Sequence, residues 1–247
     1  MSKKDQLSYT VENGVMTITI DNPEMKNGLN YIGINLFADA MEELNRDESI
    51  KVCVIRGSHG YFFTGGRVDP NNPGENDKYA DAIDRYERST RENQKPIIAA
   101  VNGNCLKAGL GVVCNADFAI ALEGVEFGLP EIRMGGVPMM VMVQTMDYLP
   151  KKLAMEAYLT AWNFSAQRAL EIGIVNRVVS EADFDATVQK FVDVFLNTHP
   201  ELIRLTRKAY KELSKFDDFE ERSAFGMNML RNEVLPTMQK VKQEYNV

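Results

Sequence analysis

Glu131 is the residue whose setting points most directly to proton chemistry. It stands in Phe127-Gly128-Leu129-Pro130-Glu131-Ile132-Arg133-Met134, a lone carboxylate among apolar neighbours. Taking a carboxylate out of water raises its pKa, which suits it to remove and return a proton near neutral pH. The ordinary alternative is a cap on the first turn after Pro130, or a pair with Arg133. A second segment runs from Lys95 to Gly103 and on through Lys107-Ala108-Gly109-Leu110-Gly111. Here an apolar strand leads through a loop into a helix N-terminus, whose unpaired N–H groups and positive dipole end suit an oxyanion. Close helix–sheet packing wants the same small residues. Gly109 and Gly111 also open a G-x-G-x-x-G pattern, but Cys114 takes the place of its third glycine, which weakens a dinucleotide reading. The third segment, Phe62-Phe63-Thr64-Gly65-Gly66-Arg67-Val68-Asp69, sets two glycines after a strand. They permit either a plain tight turn or close approach of a ligand to backbone N–H groups.

Hydrophobic period indicates the elements that carry these segments. Tyr9 to Glu12 and Val15 to Ile20 form a predicted hairpin turned at Asn13-Gly14, with Met16, Ile18 and Ile20 on one side. Ile32, Leu36, Ala40 and Leu44 recur at helical spacing. Lys51 to Arg56 reads as a buried strand, Asp77 to Glu92 as a charged helix, and Ile97 to Val101 as an apolar strand. Ala108 to Cys114 starts a helix and Ala116 to Ala121 another strand; beyond Pro130 the pattern is helical except for Gly173 to Val179. Strands alternating with helices imply right-handed βαβ units and largely parallel sheets. Near Thr198-His199-Pro200 the composition turns to a charged helical tail.

Composition narrows the partners. The net charge of -7 argues against nucleic acid, whose phosphates attract basic faces. Cys53, Cys105 and Cys114 are odd in number and lack a C-x-x-C spacing, so buried reduced thiols in a cytoplasmic protein are expected. His59 and His199 are the only histidines, too few for a multi-histidine metal site. The stretch from Met1 to Thr10 lacks the apolar core of a signal peptide, and no apolar run reaches the about 18 residues that span a bilayer. No membrane association is expected.

Taken in order, the double-glycine loop, Lys95-Pro96-Ile97-Ile98-Ala99-Ala100-Val101-Asn102-Gly103 and the Pro130-Glu131-Ile132 segment resemble the enoyl-CoA hydratase/isomerase (crotonase) family. Thr160 and the stretch from Phe164 to Val179 resemble its helix-turn-strand segment, so the likeness covers essentially the whole chain. The resemblance implies an α/β crotonase-like spiral of βαβ units over residues 1–197, with a helical trimerisation region over 198–247. It implies an acyl-CoA thioester substrate, no cofactor beyond the coenzyme A of that substrate, and a homotrimer or dimer of trimers. The Gly66 and Ala108 N–H groups would form an oxyanion hole, with Glu131 as acid/base. Lys26, in the Asn22 to Asn30 stretch, matches the CoA channel. Arg67 and Val68 match the border of the adenine, although the family usually has an acid where Arg67 stands. Phe127, Met134, Met139 and Met140, with Met142, offer an apolar acyl pocket; core packing or a trimer contact is the equal alternative.

One departure bears on the reaction. Hydratases that this chain resembles carry a second glutamate, which would fall at Gly111. A bare position there cannot hold or deprotonate water. The order of expectation is therefore double-bond isomerisation with one glutamate, then atypical hydration, then decarboxylation or another lyase reaction on a CoA or carrier-protein thioester. A catalytically silent binding protein on the same fold is the alternative from a different class. On this reading, Gly111→Glu is expected to introduce weak hydration.

Overall fold

The computed structural model describes residues 6–68 and 71–244. Asp69 and Pro70, the end of the glycine-rich segment, and the first five residues lie outside that description.

The chain opens with β1 (Leu7–Glu12) and β2 (Val15–Ile20), antiparallel and joined at Asn13-Gly14, both of which have positive φ. Such a turn needs residues that tolerate the left-handed region, which Asn and Gly do. Met16, Ile18 and Ile20 are fully buried, as their alternation requires. Asn30 then caps α1 (Tyr31–Arg46), its side chain accepting from the Ile32 and Gly33 N–H groups at 3.0 and 3.2 Å. The buried face of α1 is Ile34, Phe37, Ala38, Ala40, Met41 and Leu44, with Ile32 and Leu36 at its margin. This face is rotated from the expected stripe because α2 (Asn76–Glu92) packs alongside, with the Tyr86 ring centroid 4.7 Å from that of Phe37.

Between these helices come β3 (Val52–Arg56) and β4 (Tyr61–Phe63). After α2 follow β5 (Ile97–Val101), β6 (Asn104–Leu106), α3 (Ala108–Asn115), β7 (Phe118–Leu122) and β8 (Glu126–Gly128). Each turn of the chain thus adds one strand to each of two sheets. The first has the order β1-β2-β3-β5-β7-β10, parallel from β2 onward; the second has the order β4-β6-β8-β9, with β4, β6 and β8 parallel. The remaining members are β9 (Phe164–Ser165) and β10 (Arg177–Val179). The second sheet was not apparent from hydrophobic period, since strands of two or three residues carry no readable alternation.

Helices α4 (Met139–Thr145), α5 (Lys151–Thr160) and α6 (Ala166–Glu171) follow the second sheet, and α7 (Glu181–Leu196) covers the first. In β5, Ile97, Ala99 and Val101 enter the main core. Ile98 and Ala100 point the other way, to Val52, Val54 and Ile120 and to Phe184, Val188 and Val192 of α7. Both faces are covered, which is why this strand reads as one apolar run. The three cysteines are buried and unpaired. Among the described residues no helix is long and apolar enough to cross a membrane.

The chain ends in α8 (Pro200–Leu213), α9 (Phe219–Met229) and α10 (Leu235–Glu244), with a π-helical turn at Leu230–Val234. These helices are tethered by an Arg207–Asp117 ion pair and by Lys211, which donates to the Arg91 carbonyl at 3.0 Å. No residue of α8 is buried, and Phe219 is 73% exposed. Val137, Met139, Val143 and Met146, on and beside α4, are exposed as well. Contiguous exposed apolar surface is a general feature of protein contact sites. We expect a trimer or dimer of trimers by light scattering; a monomer whose mass does not change with concentration refutes that assembly.

Candidate active site

Three strand ends converge. β4 runs into Gly65-Gly66, β6 into Lys107-Ala108, and β8 into Leu129-Pro130-Glu131. Because β4, β6 and β8 are parallel neighbours, their carboxyl ends lie at one edge of the sheet. In α/β folds this edge is where ligands are met.

Two backbone donors there lack backbone acceptors among the described residues. Gly66 pairs with Leu29 through its neighbours: Leu29 N–H donates to the Gly65 carbonyl at 3.0 Å and Arg67 N–H to the Leu29 carbonyl at 2.8 Å. The Gly66 N–H itself has no backbone acceptor among the described residues. Ala108 opens α3, so its N–H has no intrahelical acceptor. Gly65 has φ +81, and a Cβ added to it would stand 3.1 Å from the Ala108 nitrogen, so the two loops meet. Lys107 turns the chain between β6 and α3 at φ 54 and ψ -128. A side-chain-bearing residue held there stores local strain, which folds retain where surrounding structure demands it. Its N–H is anchored to the Gly128 carbonyl at 2.9 Å.

Glu131 lies in the short 3-10 helix Pro130–Met134, with Pro130 at its start and Gly135 closing it in the left-handed region. Its Oε2 is buried and without a hydrogen-bond partner. No ion pair joins Glu131 to Arg133 among the described residues. Burial pushes its pKa above the usual carboxylate range, opposed by its own backbone N–H and by the Lys107 ammonium.

A cavity of about 460 Å³ is bordered by Gly66, Lys107, Lys26, Arg67, Val68, Pro130 and Met134, while Ala108 and Glu131 themselves do not line it. The Lys26 ammonium lies 5.9 Å from the Tyr61 ring centroid. Arg67 is spent on the protein itself, donating to the Met25 carbonyl at 3.2 Å and to Thr64 Oγ1 at 3.0 Å, and so ties two cavity loops together. Val68 stands 45% exposed. Phe127 is fully buried below the site, stacked on Phe164 at 5.7 Å, and is core here. Met139 and Met140 do not border the cavity; they are 61% and 37% exposed on α4, whose buried side carries Val141 and Thr145. The methionine group is therefore divided, with Met134 alone of the four reaching this cavity.

Two side chains at the site lacked any sequence signal. A Cβ on Gly66 would overlap the Tyr79 hydroxyl, which α2 lays directly on that glycine. A Cβ on Gly111 would overlap Oε1 of Gln144. The bare position is thus filled from α4, and a glutamate there does not project into open space. Gly111→Glu has to displace the far end of the Gln144 side chain. Among the described residues no cluster of three or more metal-ligating side chains is arranged to hold an ion.

Among the described residues, two N–H groups without a backbone acceptor and a buried carboxylate oxygen without a partner thus lie at neighbouring strand ends. The chain belongs to the enoyl-CoA hydratase/isomerase family, whose model matches residues 10–242. It is 33% identical over 177 residues to the 2,3-dehydroadipyl-CoA hydratase of Escherichia coli, covering 70% of this chain and 69% of that protein. It is 27% identical over 203 residues to the short-chain-enoyl-CoA hydratase of Clostridium acetobutylicum, covering 80% and 78%. A crystal structure of an enoyl-CoA hydratase/isomerase from Mycobacterium paratuberculosis superimposes with a TM-score of 0.81 at 26% identity, over 98% of this chain and 96% of that one. The two-sheet spiral is the crotonase-like fold, and the chain is an acyl-CoA enzyme of this family.

Glu131→Gln is expected to lower kcat by about 10²–10⁴-fold, the usual contribution of a general base, with substrate affinity largely kept. The same change should raise Tm at neutral pH. A carboxylate whose folded pKa is raised destabilises the fold increasingly as pH rises from the unfolded to the folded pKa, and fully above it. An amide removes that cost.

Proposed function

We propose that the protein shifts the double bond of an enoyl-CoA, from the 3-enoyl to the 2-enoyl position, with Glu131 as its single proton carrier. The observation that carries this reading is the buried Glu131 carboxylate, whose Oε2 has no partner, near two N–H groups without backbone acceptors among the described residues, with no side chain at 111. The Gly66 and Ala108 N–H groups bind the thioester carbonyl. The Glu131 carboxylate takes a proton from C2, the electrons move onto that oxygen as a dienolate, and Glu131 returns the proton at C4. Fixed donors in a dry site stabilise the dienolate without reorganising. Lys26, Arg67 and Val68, on the rim of the cavity, meet the coenzyme A portion of the substrate. The scheme calls for no cofactor beyond that coenzyme A.

Hydration of a 2-enoyl thioester is the second reading, favoured by the names of the relatives from Escherichia coli and Clostridium acetobutylicum. It uses the same enolate, with a proton delivered to C2. Both reactions need a base or acid whose pKa sits above the ordinary carboxylate range, which burial of Glu131 supplies. For isomerisation the carboxylate must be ionised, so kcat/KM should fall as pH drops through that raised pKa.

Purified protein incubated with 3-enoyl- and 2-enoyl-CoA, followed by chromatography and mass detection, separates the outcomes. Conversion of the 3-enoyl to the conjugated isomer is expected. Gain of one water marks hydration and loss of CO2 marks decarboxylation. Failure to convert any thioester, with CoA-ester binding intact, points to a silent binding protein.

A further inference from the structure

We propose that Glu87 of α2 is a second catalytic carboxylate, the base that takes a proton from water as that water adds to a 2-enoyl thioester. This rests on the reading of Gly66, Ala108 and Glu131 as an acyl-thioester site and extends it to hydration.

Helix α2 has a charged sequence, yet of its acids Asp77, Asp81, Asp84, Glu87 and Glu92 only Glu87 is buried, at 7% exposure. No lysine or arginine forms an ion pair with it among the described residues. Its hydrogen-bond partner is the Gln144 side-chain amide, which donates to it from α4. A buried carboxylate without a cation costs stability, so a purely structural role is an uneconomical use of this position. Burial also pushes its pKa above the ordinary carboxylate range, with the Gln144 bond and the Arg91 charge opposing.

Gln144 links Glu87 to the reacting groups. Its Oε1 occupies the place of a residue-111 side chain, one helical turn from the Ala108 N–H. That oxygen is buried and has no hydrogen-bond partner, although buried acceptors are nearly always satisfied. The Glu87 carboxylate therefore stands about where a carboxylate carried by residue 111 would reach, supplied from α2 instead of α3. A water bonded to Gln144 Oε1 and to Glu87 gives one proton to each acceptor and turns its lone pairs outward as a nucleophile. Glu87 and Gln144 also line a cleft of about 1520 Å³ reaching to α8. This cleft is separate from the Gly66 cavity and gives Glu87 its own contact with solvent.

In the addition, the water oxygen bonds to C3 and its proton passes to the Glu87 carboxylate. The C2–C3 π electrons move onto the thioester oxygen, held by the Gly66 and Ala108 N–H groups. The enolate collapses and C2 takes a proton from the acid form of Glu131, leaving a 3-hydroxyacyl thioester. Glu87 then releases its proton to solvent through the cleft, and Glu131 regains one. Isomerisation needs Glu131 alone.

The test follows two reactions in four proteins: hydration of crotonyl-CoA and isomerisation of 3-hexenoyl-CoA by wild type, Glu87→Gln, Glu87→Asp and Gln144→Met, with folding checked by circular dichroism. Glu87→Gln should lower hydration by about 10²–10⁴-fold while isomerisation stays within about threefold. Glu87→Asp, which keeps the carboxylate, should recover part of the hydration. Gln144→Met fills the same space without the acceptor and should lower hydration selectively; it serves as the test if Glu87→Gln does not fold. Hydration by folded Glu87→Gln within about threefold of wild type overturns the role of Glu87. So does equal loss of both reactions in Glu87→Gln and Gln144→Met. Wild type that isomerises but adds no water removes Glu87 and leaves the Glu131 reading standing; wild type that does neither removes both.

Discussion

Parallel pairing of β4, β6 and β8 is the constraint on which the rest depends. These strands are too short to contribute much burial by themselves, and each follows a longer, largely buried strand of the first sheet by a short connection. Once they pair in register, Gly66, Ala108 and Glu131 have no choice of neighbour. The N–H groups follow from the same geometry, since pairing through Gly65 and Arg67 leaves Gly66 unpaired and the start of α3 leaves Ala108 unpaired. Polar groups that folding normally satisfies are thereby left without backbone partners among the described residues.

Desolvation runs through the site as a second theme. Glu131 and Glu87 are both pushed toward protonation by burial and are opposed only weakly by a cation. Each is a local loss of stability tolerated by a large core. The difference between them lies in their settings. Glu131 keeps an oxygen without any partner at the strand ends that carry Gly66 and Ala108, whereas Glu87 is tethered through Gln144 to the place left bare by Gly111. Space absent from one helix is thus used by another, and the second helix brings a carboxylate with it. Arg67 shows the converse. Its guanidinium, lowered in pKa by burial, is consumed in joining the Met25 and Thr64 loops, so a cation beside the cavity serves the shape of the cavity first.

Much of this was legible in the chain itself. The hairpin at Asn13-Gly14, the apolar strands over 52–56 and 97–101, and the helix opening at Ala108 depend on local rules: turn residues that accept positive φ, two-sided burial, and small residues at a close contact. Glu131 was visible for a related reason, because a single carboxylate in an apolar run is costly wherever it lands. The order of the three segments carried the family, and so the spiral fold, since that order is what the two-sheet winding requires.

Other features arose only when distant segments met. Period cannot reveal strands of two or three residues, so the second sheet, and with it the convergence of the site, appeared only in three dimensions. The methionines after Glu131 look alike in sequence, but the turn at Gly135 and the direction of α4 send Met139 and Met140 to the surface and leave Met134 at the cavity. Glu87 is one acid among many on a charged helix until α4 covers it, and Tyr79 acquires its place only because Gly66 has no side chain to exclude it. The division has a physical basis. Backbone conformation and one-sided burial are decided by a residue and its near neighbours, whereas desolvation of a particular side chain is decided by what packs over it, and that comes from elsewhere in the chain.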